Sequence, residues 1–491
     1  MAGFAGASLA AERPNILFIV SEDNGPELGC YGDPYARTPH LDRLAAEGVR
    51  FENAFVPYSV CSPSRAAFLT GLHPVQNGHV GLATHRFALY RENTPNVVTL
   101  LKSDGYRTGL IGKLHVNPAS AFPFDFTAIP GANFQRKQNA IDYVDEAWAF
   151  WAESEGKPWF LSVNFPDAHL PFLRQAHGLP EHPQTAGEVE PLPWVGADSE
   201  RLREVTADYY NCLARLDAWV GKLLAALEEV GQANNTLVLY FGDHGGQFPR
   251  GKGTVYEGGL RVPLLVRWPG KAEPGVVRTE LVSTLDLVPT IVAATGAEPP
   301  PELTGRALQP LWGKTAPEEW RRYLFALTTG SFPRACFVQE SVRDERYKLI
   351  SSPRPGTENL DAGTYLDPEH PHHVVSGLVP KERATVSPEF ETAFRRWERP
   401  PRYELYDLAA DPHELVNLVA DPEHAETRAR LIAALEAWQK RTRDPFSDPE
   451  NVTAYVEEQL DYLDLRYRKQ PDFRWQHLER FSAWREARER R

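Results

Sequence analysis

The apolar and polar positions of this chain follow one repeated order, in which a short apolar run ends in a polar cluster and a helical pattern follows. The first run, residues 15–20 (NILFIV), leads directly into Ser21, Glu22, Asp23 and Asn24. Short β-rich runs that alternate with helical patterns are typical of α/β proteins. The pattern therefore predicts an α/β fold for the first part of the chain.

Three later runs repeat this order. Residues 108–111 end at GKLH, residues 159–165 lead into Asp167 and His169, and residues 237–241 end at DHGG. Ligands of open α/β sheets bind beyond the carboxyl ends of the strands. The four polar clusters are therefore candidates for one shared site.

Helical periodicity fills the spaces between these strands. One helix is predicted to begin near Thr38, a second covers residues 95–101, and a long third covers residues 205–227 and stops at Gly231. Strands and helices thus alternate along the chain, as an α/β domain requires.

The pattern changes after about residue 315. Two adjacent strand patterns, 336–342 and 346–350, are separated by a polar turn, which indicates a smaller antiparallel sheet accompanied by helices. Residues 352–402, rich in proline and charge, are predicted to be an insertion or a long loop. The expected organisation is an N-terminal extension or signal remnant (1–14), a catalytic α/β domain (15–315) and a C-terminal α+β subdomain (316–491).

Composition narrows the class of protein. With 491 residues, 42% of them hydrophobic and 24% charged, the chain has the size and balance of a globular enzyme. Its net charge of -13 would repel duplex nucleic acid, although a local cationic pocket can still bind one small anion. The longest apolar runs are shorter than the ~20 residues of a membrane-spanning helix, so no membrane span is expected.

The cysteines and the N-terminus leave the cellular compartment open. Cys30, Cys61, Cys212 and Cys336 are scattered, without CxxC pairs or the density of a disulfide-stapled scaffold. Residues 1–15 are small and mildly apolar but lack the basic region and long apolar stretch of a complete signal peptide. A trimmed signal remnant and a simple extension both fit this segment.

The segment Cys61-Ser62-Pro63-Ser64-Arg65 carries the most specific chemical signal. Ser62, Pro63 and Ser64 favour a helix N-terminus, where free backbone N–H groups and the helix dipole attract an anion. Arg65 adds a fixed cation beside that position. A lone cysteine is more often a small buried hydrophobe, but the complete pentapeptide favours a nucleophile at Cys61 that faces an anionic group.

Two acidic clusters follow separate predicted strands, at residues 22–24 (EDN) and 243–245 (DHG). Hard cations such as calcium prefer oxygen ligands, and carboxylates from two distant strand ends can enclose one ion. Acids at a single strand end often only cap a helix. Two such clusters together with the Cys61 motif favour a metal site.

The pentapeptide, followed by residues 66–71 (AAFLTG), resembles the C-x-P-x-R signature of the type I sulfatases, in which a dedicated maturation enzyme oxidises the cysteine to formylglycine. The resemblance extends from RPNILFIVSEDNG to YELYDLAADPHELVNLVADP, nearly the whole chain. It implies the alkaline-phosphatase-like sulfatase fold, an α/β architecture in which helices sandwich a large mixed sheet, with a smaller C-terminal α+β subdomain that contains an antiparallel sheet. It also implies a sulfuric ester or sulfamate hydrolase that uses one divalent metal, calcium (Ca2+) being the expected ion.

The resemblance assigns metal-binding roles to residues of this sequence. Glu22, Asp23, Asp243, His244 and Cys61, as formylglycine, match the metal-binding positions. The sequence departs from the usual pattern at Glu22, where aspartate is usual, and at His244, where asparagine is frequent.

The catalytic positions also match. Lys113 and His115 resemble the lysine and histidine beside formylglycine, whereas His169 and Lys252 match the pair that contacts sulfate and protonates the leaving group. In the implied mechanism one hydroxyl of hydrated formylglycine attacks sulfur, while Arg65 and the two lysines offset negative charge. His169 protonates the leaving atom, and His115 then takes the proton of the second hydroxyl as sulfate leaves.

Two further segments narrow the substrate. GLIGKLHVNP followed by FPFDF (122–126), and TRDPF (442–446), resemble the heparan N-sulfatase branch of the family. This implies removal of the N-sulfate from a terminal glucosamine of heparan- or heparin-derived saccharides. Three alternatives stay open: an O-sulfatase acting on another carbohydrate or an aryl sulfate, a phosphate or phosphonate ester hydrolase of the same superfamily, and an inactive protein that binds sulfated glycans.

The same resemblance sets the expected partners. They are a sulfated saccharide substrate and a formylglycine-generating enzyme, with no nucleic acid. A periplasmic or secreted location is favoured over the cytoplasm. The oligomeric state, with a homodimer among the options, is open.

Overall fold

The computed structural model describes residues 13–131 and 140–489, so the predicted extension at 1–14 lies almost entirely outside the described residues. The strands are β1 (Asn15–Ser21), β2 (Val49–Phe51), β3 (Ala54–Phe55), β4 (Arg107–Gly112), β5 (Phe126–Ala128), β6 (Trp159–Phe165), β7 (Thr236–Gly242), β8 (Leu264–Arg267), β9 (Val276–Arg278), β10 (Val282–Ser283), β11 (Leu324–Thr328), β12 (Gln339–Arg343), β13 (Tyr347–Ser351) and β14 (Tyr403–Asp407). The helices are α1 (Pro39–Ala46), α2 (Cys61–Thr70), α3 (Pro74–Asn77), α4 (Val97–Ser103), α5 (Ala140–Ala152), α6 (Glu200–Glu229), α7 (Glu257–Leu260), α8 (Leu287–Ala294), α9 (Leu360–Leu366), α10 (Pro380–Arg383), α11 (Pro388–Glu398), α12 (Ala425–Thr442), α13 (Pro449–Leu460) and α14 (Gln476–Glu489).

A mixed sheet of eight strands forms the centre of the described chain, in the order β5-β4-β6-β1-β7-β8-β2-β9. Neighbouring strands from β5 to β7 run parallel, whereas β8 runs antiparallel to both β7 and β2. Strands β6 and β7 are buried at every position, and β1 at all but its first. Continuous burial of this kind is expected for central parallel strands that are covered on both faces.

Aromatic contacts show that helices cover both faces of this sheet. Phe18 of β1 contacts Phe68 of α2, and Phe165 of β6 contacts Trp219 of α6. Phe18 is in register with Ser162 of β6, which lies an odd number of residues from Phe165. Because successive strand side chains point to opposite faces, α2 and α6 pack on opposite sides of the sheet. The predicted sandwich is confirmed.

Most predicted elements of this region are present. The patterns at 15–20 and 237–241 correspond to β1 and β7, which are slightly longer. The pattern at 205–227 lies within α6, which begins earlier because the Ser199 hydroxyl accepts a hydrogen bond from the backbone N–H of Leu202 and caps the helix. Among the described residues no helix, α6 included, has the length and apolarity needed to cross a membrane.

The C-terminal part contains the predicted antiparallel sheet, in the order β11-β12-β13-β14. The turn between β12 and β13 is closed by the Asp344 carboxylate, which accepts hydrogen bonds from the backbone N–H groups of Arg346 at 2.9 Å and Tyr347 at 2.6 Å. Helix α12 packs on this sheet, with Trp438 stacked on Phe325 of β11 at a ring-centroid distance of 5.2 Å. The smaller α+β unit is therefore confirmed, whereas the division at residue 315 stays a prediction.

The segment 352–402, predicted to be an insertion or a long loop, contains helices α9, α10 and α11. The long-loop alternative was wrong, whereas the insertion stays a prediction. Pro380 and Pro388 lie in the first turn of α10 and α11, where a missing backbone N–H removes no helical hydrogen bond. Helix α11 also buries Phe394 and Trp397, so tertiary packing stabilises it.

A fully buried ion pair links α6 to the segment that follows β6. Nη2 of Arg215 lies 2.6 Å from Oδ1 of Asp167, and both side chains have an exposed fraction of 0%. The Asp167 carbonyl accepts a hydrogen bond of 3.0 Å from the backbone N–H of Glu22. The pair therefore holds the end of β6 beside the end of β1.

Replacing Arg215 with methionine should lower the free energy of unfolding by about 3–5 kcal/mol, because a buried carboxylate is left without its cation. The matched control is Arg395→Ala, which removes an exposed partner of Glu391 and should change stability little. Denaturant unfolding of both variants measures the difference. Equal losses in the two variants would contradict a dominant role for the buried pair.

Candidate active site

The carboxyl ends of four neighbouring parallel strands, β4, β6, β1 and β7, meet at one edge of the large sheet. Residues that lie far apart in the sequence become neighbours there. Lys113 follows β4, His169 follows β6, Glu22 and Asp23 follow β1, and Asp243 and His244 follow β7. The convergence of the predicted polar clusters is thus present in the structure.

Helix α2 places Cys61 in front of these strand ends. Cys61 is the first residue of the helix and is 1% exposed. Its Sγ atom lies 3.3 Å from Nε2 of His244 and 3.9 Å from Oδ1 of Asp23. The positive end of the helix dipole therefore points at the same space as the side chain of residue 61, which favours an anion there.

Arg65, about one helical turn after Cys61, contacts all four strand ends. Its Nε donates to Oδ2 of Asp243 at 3.1 Å, and its Nη1 donates to the Lys113 carbonyl and to Oδ1 of Asn164, each at 2.9 Å. Its Nη2 lies 3.4 Å from Oε1 of Glu22. The guanidinium therefore joins β4, β6, β1 and β7 in one buried network.

Two buried lysines pair with the acids at the end of β1. Nζ of Lys113 lies 2.9 Å from Oε2 of Glu22, and Nζ of Lys252 lies 2.7 Å from Oδ2 of Asp23. Burial alone would lower the pKa of both ammonium groups, but the anions around them raise it above the ordinary value. Both lysines therefore remain cations at neutral pH.

Side chains with metal-binding chemistry form two overlapping groups in the described part of the chain. One contains Cys61, Asp243 and His244, the other Asp23, Cys61 and His169, and within each group the ligand atoms lie within 4.8 Å of one another. Carboxylate oxygens and an imidazole nitrogen directed at one point fit a divalent cation.

The orientation of His244 supports this fit. Its Nδ1 donates to the Gly245 carbonyl at 2.9 Å, so Nε2 is the ring nitrogen that can bind a metal once it loses its proton. That Nε2 lies 3.2 Å from Oδ1 of Asp23 and 3.6 Å from Oδ1 of Asp243. Burial would lower the pKa of His244, but these two carboxylates raise it to about 9, which shows how strongly the position attracts positive charge.

Glu22 faces two cations in this structure, and its metal-binding role stays a prediction. Its carboxylate contacts Lys113 and Arg65 and is outside both donor groups. Burial raises the pKa of Glu22 despite those two cations. The pKa of the adjacent Asp23 is lowered, because Lys252 and nearby histidines outweigh the effect of burial. The two neighbouring acids thus occupy different electrostatic environments.

The two histidines predicted to be catalytic, His115 and His169, have pKa values shifted in opposite directions. Burial lowers the pKa of His115 to about 4, although the neighbouring Cys61 side chain opposes this shift. Burial opposes protonation of His169, but the Asp23 carboxylate outweighs it and raises the pKa. Nδ1 of His169 donates to the Leu170 carbonyl at 2.6 Å, so Nε2 is left for other contacts.

The electrostatic environment also acts on Cys61. Burial alone would raise the pKa of the Cys61 thiol, but the ammonium groups of Lys113 and Lys252 hold it well below its ordinary value. The thiols of Cys212 and Cys336 are also buried, and there burial raises the pKa. A stabilised anion at residue 61 is therefore a property of this site and not of buried cysteines in general.

Unusual backbone conformations occur where the site residues leave their strands. Asp23 and His115 have left-handed φ values of 49° and 56°, which non-glycine residues seldom adopt. Gly112 has a φ of 90°, and a Cβ atom there would lie 2.3 Å from the Asn164 carbonyl oxygen. Glycine at this position allows β4 to end directly beside β6, which places Lys113.

Three contributors to the site were missed in the sequence. Asn164 accepts a hydrogen bond from Arg65, and its signal was a polar side chain within the otherwise apolar end of β6. Tyr365 of α9 donates its hydroxyl to the Lys252 carbonyl at 2.8 Å. Thr328 of β11 likewise donates to the Gly253 carbonyl at 2.8 Å. The C-terminal part thus holds the loop that carries Lys252.

The segments FPFDF and TRDPF have structural contacts away from these residues. Oδ2 of Asp125 accepts hydrogen bonds of 2.9 Å from the backbone N–H and the hydroxyl of Thr108, which fixes the edge of the large sheet. Phe446 is buried against Tyr455 and Phe481 in the smaller core. These contacts give both motifs a role in packing.

Family models match two overlapping regions of the chain. A model described as "Sulfatase" matches residues 14–297, and a model described as "N-sulphoglucosamine sulphohydrolase, C-terminal" matches residues 242–368. The first region contains every strand of the large sheet, and the second runs from the end of β7 into the antiparallel sheet.

Individual proteins are also similar. N-sulphoglucosamine sulphohydrolase of Homo sapiens is 32% identical over 486 residues, which covers 89% of this chain and 92% of that protein. Arylsulfatase A of Homo sapiens is 34% identical, covering 84% of this chain and 85% of that protein. The structure of a phosphonate monoester hydrolase from Silicibacter pomeroyi superposes with a TM-score of 0.67 at 22% identity, covering 88% of this chain and 96% of that one, which shows a shared fold.

The donor geometry predicts which acids bind a metal. Asp243→Asn should weaken calcium binding by about a hundredfold or more, because it removes the negative charge and one of the two carboxylate oxygens beside Nε2 of His244. Glu22→Gln is the matched control and should weaken it far less, because that carboxylate faces Lys113 and Arg65. Titration calorimetry of metal-depleted protein measures both affinities, and equal losses would show that Glu22 binds the ion as well.

Proposed function

The chain belongs to the sulfatase family, and on that premise we propose that it removes the N-sulfate from a terminal glucosamine of heparan- or heparin-derived saccharides. The reaction breaks a sulfamate S–N bond with water and releases inorganic sulfate and a free amine. The enzyme class, a sulfatase, follows from the family. The sugar and the N-sulfate preference are the proposal.

The observation that carries this proposal is the match of residues 242–368 to the C-terminal model of N-sulphoglucosamine sulphohydrolases. Overall identity does not choose between substrates, since arylsulfatase A is 34% identical and the human N-sulphoglucosamine sulphohydrolase 32%. The matched region includes Asp243, His244, Lys252 and α9, the elements that hold one side of the site. A match in a region that forms part of the site is a better guide to the substrate than sequence identity averaged over the whole chain.

We propose that residue 61 is the nucleophile after oxidation of Cys61 to formylglycine. Hydrated formylglycine carries two hydroxyls on one carbon, one to attack sulfur and one retained for release of sulfate. The lowered pKa of the thiol indicates that an oxygen anion at the same position would also be stabilised. Arg65, Lys113 and Lys252 surround that position and offset the charge of the sulfonate oxygens.

Acid and base roles are proposed for the two half-buried histidines. His169 lies in one donor group with Cys61 and Asp23, and its Nε2 is directed away from the Leu170 carbonyl that Nδ1 contacts. We assign it the donation of a proton to the departing nitrogen, with Lys252 beside it. His115 is the proposed base, since it lies beside residue 61 and burial keeps its ring neutral, ready to accept the proton of the second hydroxyl.

The proposed cofactor is a divalent cation held by Asp23, Asp243, Nε2 of His244 and the oxygen of residue 61. Calcium is the ion that the family resemblance implies, and two carboxylates suit it. When bound, such an ion polarises sulfate oxygens and favours an ionised nucleophile. The carboxylates of Asp23 and Asp243 are buried and are held in place by Lys252 and Arg65.

The second candidate is a phosphate or phosphonate ester hydrolase. The observation in its favour is the likeness in fold to a phosphonate monoester hydrolase over 88% of the chain. The same buried cations would offset phosphoryl oxygens as well as sulfuryl oxygens. An O-sulfatase also fits the arrangement of residues. Hydrolysis of defined substrates must therefore distinguish the N-sulfatase, the O-sulfatase and the phosphate or phosphonate ester hydrolase.

Sulfate release from N-sulfoglucosamine is the first test, using protein whose Cys61 peptide has been shown by mass to contain formylglycine. We expect release from this sugar and little from 6-O-sulfated N-acetylglucosamine or from phosphonate and phosphate monoesters. Cys61→Ala should lower turnover by at least about a thousandfold, because the nucleophile is removed.

Each alternative outcome identifies a different enzyme. Release from the O-sulfated sugar alone would replace the N-sulfate proposal with an O-sulfatase. Strong hydrolysis of phosphonate or phosphate monoesters with negligible sulfate release would select the second candidate. Full turnover by Cys61→Ala would rule out residue 61 as the nucleophile in every case.

Replacement of His169 tests the proton donor separately from binding. His169→Ala should lower kcat for N-sulfoglucosamine by about a hundredfold to ten-thousandfold, since the departing amine needs a proton. Turnover of nitrophenyl sulfate should fall much less, because its leaving group departs as a stable anion. His182→Ala, an exposed histidine in the same inter-element segment, is the control and should keep both activities. Equal losses of His169→Ala on the two substrates would contradict a role as general acid.

A further inference from the structure

A groove of about 740 Å³ lies between α12, the start of β11 and the segment that precedes it, away from the candidate active site. Its lining includes His73 and Gln76, which follow the C-terminal end of α2. Cys61 begins the same helix, and the ten residues of α2 span about 15 Å. The groove and residue 61 therefore lie at opposite ends of this helix, and a ligand in one does not contact the other.

The groove is rich in unneutralised positive charge. Arg306, Arg322 and Arg441 line it and are exposed, and none has a carboxylate within ion-pair distance among the described residues. A fourth arginine, Arg321, is paired with Asp286. Glu302 is the one acid of the lining. In a protein with a net charge of -13, such a concentration of cations is a local feature that favours an anionic ligand.

A second groove provides the comparison. It has a volume of about 760 Å³ and is lined by Arg86 and Arg474 together with Glu92, Glu479 and Glu486. Its charges are mixed, so it offers no preference for an anion. Size alone therefore does not distinguish the first groove; its four arginines beside a single acid do.

Aromatic rings accompany the exposed arginines. The guanidinium of Arg322 lies 5.3 Å from the ring centre of Tyr323, and that of Arg441 lies 5.9 Å from the ring centre of Phe325. Arg306 lies 5.8 Å from the ring of Trp320. Such contacts hold guanidinium groups in place. Flat rings beside fixed cations suit a ligand that has both an apolar face and anionic groups, as a sulfated sugar does.

We propose that this groove is a second, non-catalytic site that binds a sulfated oligosaccharide. Its arginines take the sulfate groups, and its rings pack against the sugar faces. A site of this kind holds the enzyme on a sulfated polymer while the active site acts on chain ends. The choice of a sulfated rather than a phosphorylated ligand rests on the proposed function. The charge and shape of the groove are observed independently of that proposal.

Binding of a size-defined heparin oligosaccharide tests the proposal, measured by calorimetry in the Cys61→Ala background so that no turnover occurs. The double variant Arg322→Gln with Arg441→Gln should bind about tenfold more weakly, because two charge-assisted contacts are lost. Arg474→Gln is the matched control, since it removes an exposed arginine from the groove of mixed charge, and it should bind like the parent. Unfolding temperatures of all variants establish that they are folded.

Each binding result either supports or overturns the proposed second site. Weaker binding in the double variant alone, together with weak binding of the desulfated, N-acetylated oligosaccharide by the parent, supports the site. Unchanged binding in the double variant overturns it, and so does an equal loss in Arg474→Gln. Tight binding of the desulfated oligosaccharide also overturns it. Hydrolysis of N-sulfoglucosamine by the formylglycine-bearing double variant is measured separately, so failure of the substrate proposal is distinguished from failure of this one.

Discussion

The buried guanidinium of Arg65 is the interaction on which the rest of the site depends. It contacts Glu22, Lys113, Asn164 and Asp243, and so touches the ends of all four central parallel strands. A guanidinium removed from water is costly unless its donors are satisfied with good geometry. Each strand must therefore end at the right place for the others to be stable. The same contacts that satisfy Arg65 align the residues around residue 61.

Charge balance in this buried space follows from the same constraint. The carboxylates of Glu22 and Asp23 each pair with a lysine, Lys113 and Lys252, while Asp243 pairs with Arg65. Positive and negative groups are thus matched before substrate enters. In the proposed mechanism the two lysines offset the charge of an incoming sulfate, and because their acids already hold them in position, little reorganisation is required. The low local dielectric strengthens these interactions relative to water.

The smaller antiparallel unit contributes to the site through backbone contacts. Tyr365 and Thr328 donate hydrogen bonds to the carbonyl oxygens of Lys252 and Gly253, and so fix the loop that presents the Lys252 ammonium to Asp23. The C-terminal region therefore supports a candidate catalytic residue, Lys252, that lies outside it. Its matched family model begins at the end of β7 and spans both this loop and the helix that supports it.

Three features could be predicted from the amino-acid sequence: the alternation of strands and helices, the helix that begins at Cys61, and the set of residues at the strand ends. These features depend on local periodicity, capping and short motifs, which neighbouring residues encode. The prolines that begin helices in 352–402 are likewise a local signal. By contrast, the contact of Glu22 with Lys113 and the hydrogen bond of Asn164 with Arg65 become apparent only when the chain is folded. Those outcomes depend on strand order and on which buried charges become neighbours. Such long-range pairings have no signature in local sequence, because they arise from packing between segments far apart in the chain.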